Sequence, residues 1–182
     1  FRRVLFRSLK ELSSITSEKD TMKYIGKGNI WSLHDLEKFK KDEQNDLRLP
    51  HNKRKHYTFV LIDNARVIGC IEGRKNNKLF DRTTKPGVYD LLLRMFVSSR
   101  YVGKGYGTKI IKLFIEQYRK MILLDRKNNK KQDTPSVSLY SDIAPDNIPS
   151  IKIHLKNGFL EYGTFTYPNG ISYNRYKYKI LD

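Results

Sequence analysis

Val97-Ser98-Ser99-Arg100-Tyr101-Val102-Gly103-Lys104-Gly105-Tyr106-Gly107 is the stretch that decides how this chain is read. An apolar run closes at Val97. Three glycines follow at alternate positions, and Ile110, Ile111, Phe114, Ile115 and Tyr118 then recur at helical spacing. A glycine-rich turn between strand and helix lets successive backbone N–H groups converge at the positive end of a helix dipole, which suits a phosphate or pyrophosphate. The pattern is not a P-loop, because Gly103-Lys104 is followed by Gly105 rather than Lys-Ser/Thr chemistry. A dinucleotide fingerprint counted from Gly103 would need its last glycine at Thr108. The His-Arg-Asp catalytic loop of protein kinases does not occur.

A second segment narrows the choice. Asp142-Ile143-Ala144-Pro145-Asp146-Asn147 reads as a strand end and helix cap, and Ser150, Ile153 and His154 then share one helical face. Gly158 is placed to end that helix and Phe159 to start the next strand. The first segment resembles the acetyl-coenzyme A loop of the GCN5-related N-acetyltransferases (GNAT family), whose pattern is Q/R-x-x-G-x-G/A. Two registers fit. Arg100, Gly103 and Gly105 match literally. Gly105 and Gly107 keep the family's distance from the strand valine and put Val102 at the Arg/Gln position, and this register is preferred. The second segment resembles the family motif N-x-x-A-x-x-L-Y-x-K-x-G-F. Asn147, Lys156, Gly158 and Phe159 are identical to it, while Ser150, Ile153 and His154 replace alanine, leucine and tyrosine.

The resemblance covers roughly Tyr57 to Leu181 and implies a mixed, mostly antiparallel central sheet flanked by helices, with the fourth and fifth strands splayed. It implies direct acetyl transfer from acetyl-coenzyme A to a primary amine, without a metal. The backbone of Met95, Phe96 and Val97 would hold the pantetheine arm, and the amides of Val102, Gly103, Lys104, Gly105, Tyr106, Gly107 and Thr108 the pyrophosphate. Asn147 would contact the pantetheine, cap its helix, or both. Asp142 stands where several family members carry a general base; a cap for the turn before Pro145 is the competing role. Glu72 and Asp90 are lesser candidates for base. His154 takes the place of the tyrosine that protonates the departing thiolate, and a histidine of ordinary pKa is a competent acid near neutrality. The acceptor pocket is expected between Tyr24–Ser32 and Thr164–Ser172, with Tyr24, Trp31, Tyr162, Tyr167 and Tyr173 available to line it. Two further readings stay open: an acyl-coenzyme A-binding module of the same fold without turnover, and a basic nucleic-acid-binding protein.

The chain has 182 residues, 38% of them hydrophobic, enough for one domain with a real core. Its one cysteine, Cys70, rules out an internal disulfide or a cysteine-built metal site and favours reducing, cytoplasmic conditions. No run is long and apolar enough to span a membrane. Phe1 to Ser8 (FRRVLFRS) resembles a translated sequencing adapter, and the chain begins without methionine. We therefore expect residues 1–8 to be non-native and residues 9–182 to form a single acetyltransferase domain. The net charge is +17, or +14 once Arg2, Arg3 and Arg7 are set aside. Lys53-Arg54-Lys55 and the run from Arg126 to Lys131 fall in expected loops and read as solvated, so nucleic acid is not an expected partner. The expected partners are acetyl-coenzyme A and an amine acceptor, with the protein a monomer or homodimer.

Elements are expected in the order helix (Ser13 to Gly26), helix (Ser32 cap, to about Asp42), hairpin strands (Tyr57 to Ile62 and Ala65 to Gly73) and buried strand (Tyr89 to Val97). A long helix (Gly105 to Leu124), a strand (Ser136 to Ile143), a short helix (Asn147 to Asn157) and two paired strands (Phe159 to Phe165, Ser172 to Ile180) follow. This order predicts an α/β sandwich over one mixed sheet. The family's first strand is either missing or supplied by the N-terminal segment.

Overall fold

The computed structural model describes residues 2–3, 9–25, 28–75, 89–128 and 136–181. The elements are β1 (Arg2–Arg3), α1 (Leu9–Thr16), α2 (Lys19–Met22), α3 (Leu33–Leu47), β2 (His56–Asp63), β3 (Arg66–Arg74) and β4 (Leu91–Val97). After these come α4 (Tyr106–Asn128), β5 (Val137–Ile143), α5 (Ile148–Lys156), β6 (Leu160–Thr166) and β7 (Ser172–Leu181). One seven-stranded sheet runs in the order β1-β2-β3-β4-β5-β7-β6, and β4 with β5 is its parallel pair. The other neighbours are antiparallel. Residues Arg2 and Arg3 pair with Val60 and Phe59, so the first strand of the sheet comes from the N-terminal segment.

Strand alternation sorts the apolar side chains onto two faces. Leu91 and Leu93 pack with Ile110, Ile111, Phe114, Tyr118 and Ile122 of α4 and with Phe159. On the opposite face Val60, Val67, Cys70 and Phe96 meet Leu12, Ile15 and Leu36 of the first helices. Cys70 is a buried core residue, and burial pushes its thiol pKa far up, away from reactivity.

The first helix starts at Leu9 rather than Ser13, and three further boundaries differ from the periodicity reading because of a distant partner. Helix α3 starts at the expected Ser32 cap, with a reciprocal capping box to Asp35, but runs to Leu47. Its polar last turn is held because Glu43 accepts from the Thr58 hydroxyl and Asp46 accepts from the Lys55 and His56 backbone N–H groups. The first expected helix breaks into α1 and α2 at Ser17–Glu18. There the Ser17 hydroxyl donates back to the Ser14 carbonyl, and Glu18, extended, turns its carboxylate to Ser98 Oγ (2.8 Å) and the Ser99 N–H (2.7 Å). Helix α4 continues past Leu124 to Asn128, where buried Asp125 accepts from the Tyr89 hydroxyl. The segments between the expected strands ending at Gly73 and starting at Tyr89, and between Leu124 and Ser136, lie mostly outside the described residues.

Candidate active site

Strand β4 is paired with β3 from Gly69↔Val97 to Arg74↔Leu92. Its parallel ladder with β5 holds only at Leu91↔Leu139 and Leu92↔Tyr140. The pair is clasped below this point, where the Asp90 carboxylate accepts from the Ser138 N–H at 2.8 Å. Asp90 therefore fastens two strands and lines no cavity described here. Beyond Leu92 the strands part, and Met95, Phe96 and Val97 have ladder partners on the β3 side alone. A cavity of about 290 Å³ opens in the fissure, lined among others by Met95, Asp142, Asn147 and His154.

The glycine loop caps the end of β4. Gly103 (φ +80°) and Gly105 (φ +79°) are left-handed, and no protein atom lies within 4 Å of where a Cβ would stand on either. This open turn at the start of a 23-residue helix has the form of an anion cradle, although the Val102 N–H already donates to the Ser99 carbonyl. Gly107 has a different duty. It lies inside α4, where a Cβ would stand 2.9 Å from Ile153 Cδ1, so its smallness lets α5 approach. Val102 is exposed, and Lys104 lies over the Tyr101 ring at 5.1 Å. Tyr106 bonds outward, its hydroxyl donating to Asp63 at 2.9 Å.

Asp142, near the end of β5, faces Arg175 directly across the ladder to β7. Arg175 Nε donates to Oδ1 at 2.6 Å and its Nη2 to Oδ2 at 2.7 Å, while the Tyr167 hydroxyl donates to Oδ2 at 2.9 Å. Arg175 also stacks on Phe165 at 4.0 Å. Burial, with the Asp142 charge and hydrogen bond behind it, holds the Tyr167 hydroxyl far above its usual pKa, so it remains a donor. Asp142 is thus an oriented carboxylate with side-chain exposure of 4%, on the wall of the fissure.

His154 follows one turn after Ser150 on α5, as the spacing predicts, but its state differs from that of a free imidazole. The side chain is buried, with Nδ1 2.8 Å from the Ser150 carbonyl and the ring edge-on to Phe159 at 5.0 Å. A carbonyl only accepts, so Nδ1 carries the hydrogen and Nε2 is bare. Burial drives the pKa down to about 4, against an upward push from the Ser150 bond. At neutral pH the ring is neutral and its one N–H is held by the Ser150 carbonyl, whereas the acid role implied by the resemblance needs a proton free to give. Asn147 caps α5 by accepting from the Ser150 N–H and also lines the fissure.

Tyr24, Tyr167 and Tyr173 line the fissure as expected. Tyr24 is tied to the α5 side by its hydroxyl, 3.1 Å from Asp146 Oδ2. Tyr162 is elsewhere, against Tyr140 and under Lys177 on the β6–β7 edge. Trp31 lines a second cavity of about 400 Å³ together with Phe39, His56 and Glu72. Arg74 and Arg94 border both cavities. They were invisible to sequence reasoning, as was the role of His56. The only usable signal is the sheet register, which sets Thr58 opposite Glu72 and Glu72 opposite Arg94. Among the described residues no cluster of His, Cys, Asp or Glu is arranged to hold a metal, and no helix is long and apolar enough to cross a membrane.

No curated protein matches the sequence. Among solved structures, a spermidine N-acetyltransferase from Vibrio cholerae, in complex with CoA and spermine, superposes with a TM-score of 0.68 at 16% identity, covering 98% of this chain and 93% of that one. A ribosomal-protein-alanine N-acetyltransferase from Brucella melitensis gives 0.66 at 17% identity, covering 98% of each chain. An N-acetyltransferase from Staphylococcus aureus Mu50 gives 0.66 at 17%, covering 98% of this chain and 96% of that one. Identities this low speak for the fold alone. The family rests on the sequence itself, since the model of the acetyltransferase (GNAT) domain matches residues 2–160. With its parted fourth and fifth strands and its left-handed glycine turn, this chain belongs to the GNAT acetyltransferases.

Proposed function

We propose that the chain moves an acetyl group from acetyl-coenzyme A directly to a primary amine, with Asp142 and His154 flanking the reacting centre. The observation that carries this reading is the fissure itself. Its glycine turn fits the pyrophosphate, the free backbone edge of Met95 to Val97 fits the pantetheine amides, and Asp142 stands on its wall. The amine lone pair attacks the thioester carbonyl, the C–N bond forms, the C–S bond breaks, and the amine loses a proton. We assign Asp142 as the group that receives that proton, directly or through one water, with Arg175 and Tyr167 fixing its orientation. His154 forms the wall beside the thioester. The released thiolate takes its proton from water, since thiols have pKa values of about 8.5 and thiolates leave without strong assistance near neutrality.

Relatives of this fold include one solved with spermine and one whose name specifies a ribosomal-protein alanine. Both a small polyamine and a protein α-amine therefore belong in the acceptor screen. The test is thiol release from acetyl-coenzyme A across a broad amine panel. Turnover with at least one primary amine is the expected result. The neutral state of His154 favours a second reading, a module that binds acyl-coenzyme A without turnover. Thermal stabilisation by acetyl-coenzyme A with no thiol release from any amine would establish it.

A further inference from the structure

Glu72 lies near the end of β3 with side-chain exposure of 3%, and three cationic groups converge on it. His56 Nδ1 is 2.9 Å from Oε1. Arg94 Nη2 is 2.6 Å and Arg74 Nε 3.6 Å from Oε2. Burial alone would raise the Glu72 pKa, but the His56 hydrogen bond and the two arginine charges outweigh it and keep the carboxyl ionised. The Glu72–His56 bond is also the first cause of a raised His56 pKa. The pKa of nearby Glu43 is raised by its own burial, and its carboxyl accepts from the Thr58 hydroxyl.

One carboxylate therefore faces two guanidiniums and an imidazole that holds its proton more firmly than usual. The arginines are not sealed in. Arg74 is 33% and Arg94 25% exposed, and both border the fissure as well as the second cavity. Arg94 lies over Trp31, with Cζ 4.6 Å from the ring centroid. Each guanidinium has five N–H donors, and Glu72 engages few of them. The acidic groups nearby are already engaged or lie on the outer rim. Asp142 is matched by Arg175, Asp35 serves the Ser32 cap, and Asp42 stands on α3 beside Lys38 at the rim of the second cavity.

We infer that Arg74 and Arg94 form an anion subsite in the acceptor half of the fissure, so that the acceptor is an amine carrying a carboxylate or phosphate close to the reacting nitrogen. Planar, paired guanidiniums are suited to such groups. Polycationic amines would meet the two guanidiniums at the same place. The inference rests on the acetyl-transfer reading and names its substrate class.

The test pairs acceptors that differ only in the anionic group, tyrosine with tyramine and phosphoethanolamine with ethanolamine, alongside 4-aminobutylamine and spermidine as polycationic controls. Thiol release gives kcat/KM, and calorimetry in the presence of coenzyme A gives binding without turnover. The expected result is an advantage of about 10- to 100-fold for the anionic member, the scale of hydrogen bonds to a charged group. Arg74→Gln and Arg94→Lys should each shrink that ratio while leaving the KM for acetyl-coenzyme A unchanged. Arg94→Lys keeps a charge beside Glu72, and Arg74 is the more exposed of the two, so both variants are expected to fold, as melting curves will show. Turnover with equal or better use of the neutral and polycationic amines overturns the subsite and leaves acetyl transfer standing. Selective binding of anionic amines without turnover supports the subsite and defeats acetyl transfer. Binding and turnover with neither class overturns both.

Discussion

Replacing His154 with Phe is the sharpest probe of the site, because one buried ring has been given a definite protonation state. A histidine with an unfolded pKa near 6.5 and a folded pKa of about 4 binds its proton in the unfolded state first. Lowering the pH through this window therefore pulls the equilibrium toward unfolding. The contribution is fully present above pH 6.5 and is lost progressively down to about pH 4. With about 1.4 kcal/mol per unit, the depression amounts to about 3 kcal/mol at its limit and about 2 kcal/mol at pH 5. For a domain of this size that is a fall in Tm of about 4–8 °C at pH 5 relative to pH 8. Phe fills nearly the same space against Phe159 and cannot titrate. His154→Phe should therefore lose this component of the slope and be relatively more stable at pH 5 than at pH 8. Thermal melts of both proteins across pH 4.5–8 provide the assay. Superimposable slopes would refute the buried, neutral imidazole. The same variant bears on chemistry. Turnover within about tenfold of wild type fits a ring that donates no proton, whereas a loss of 10²–10⁴-fold would restore His154 as a general acid.

Saturating acetyl-coenzyme A, at about a hundred times its Kd, should stabilise the protein by about 2.7 kcal/mol. Gly105→Val should fold, because the space around its Cβ is open, yet lose that stabilisation because of its positive φ and its blocked cradle; equal ligand-induced shifts in both proteins would remove Gly105 from the binding site. Asp142→Asn should lower kcat by about 10²–10⁴-fold with the acetyl-coenzyme A KM kept, and should cost about 3–5 kcal/mol by leaving Arg175 buried without its counter-charge. Full turnover in that variant would make the pair structural only. We propose that residues 1–8 are extraneous to the domain: deleting them removes a strand of two ladder pairs, and denaturant melts should shift by no more than about 1 kcal/mol. A loss of cooperative unfolding would show instead that the sheet needs this edge.

The helical stripe of α4 and the apolar run of β4 were legible because local periodicity and burial agree there. Both ends of α5 were legible because Asn147 and Gly158 are local stop and start signals. The polar end of α3 was not, since its stability depends on Thr58 and on backbone N–H groups nine and ten residues on. Within the site, the glycine turn could be named from spacing and Asp142 and His154 from the motif resemblance, but their states could not. The partner that fixes Asp142 lies 33 residues later, and it meets Asp142 only through the β5–β7 register. The neutrality of His154 comes from packing against Phe159 and from depth, neither of which leaves a mark on the spacing around it. Arg74 and Arg94 gain meaning only when three strands are laid side by side.

The fissure between β4 and β5 is written into the place where strand pairing stops, and in the proposed function its grip on a ligand is offered by peptide groups. Phe96 is left to pack toward the first helices, without its side chain having to touch what the fissure would hold, while Met95 lines it. Mutational drift at such positions is judged by how well a side chain fills its layer, and the gripping surface survives any replacement that keeps the strand. A fold so built can diverge to 16–17% identity while its outline still superposes over nearly the whole chain. What selection can vary cheaply is then the rim, and with it the molecule that arrives to be modified.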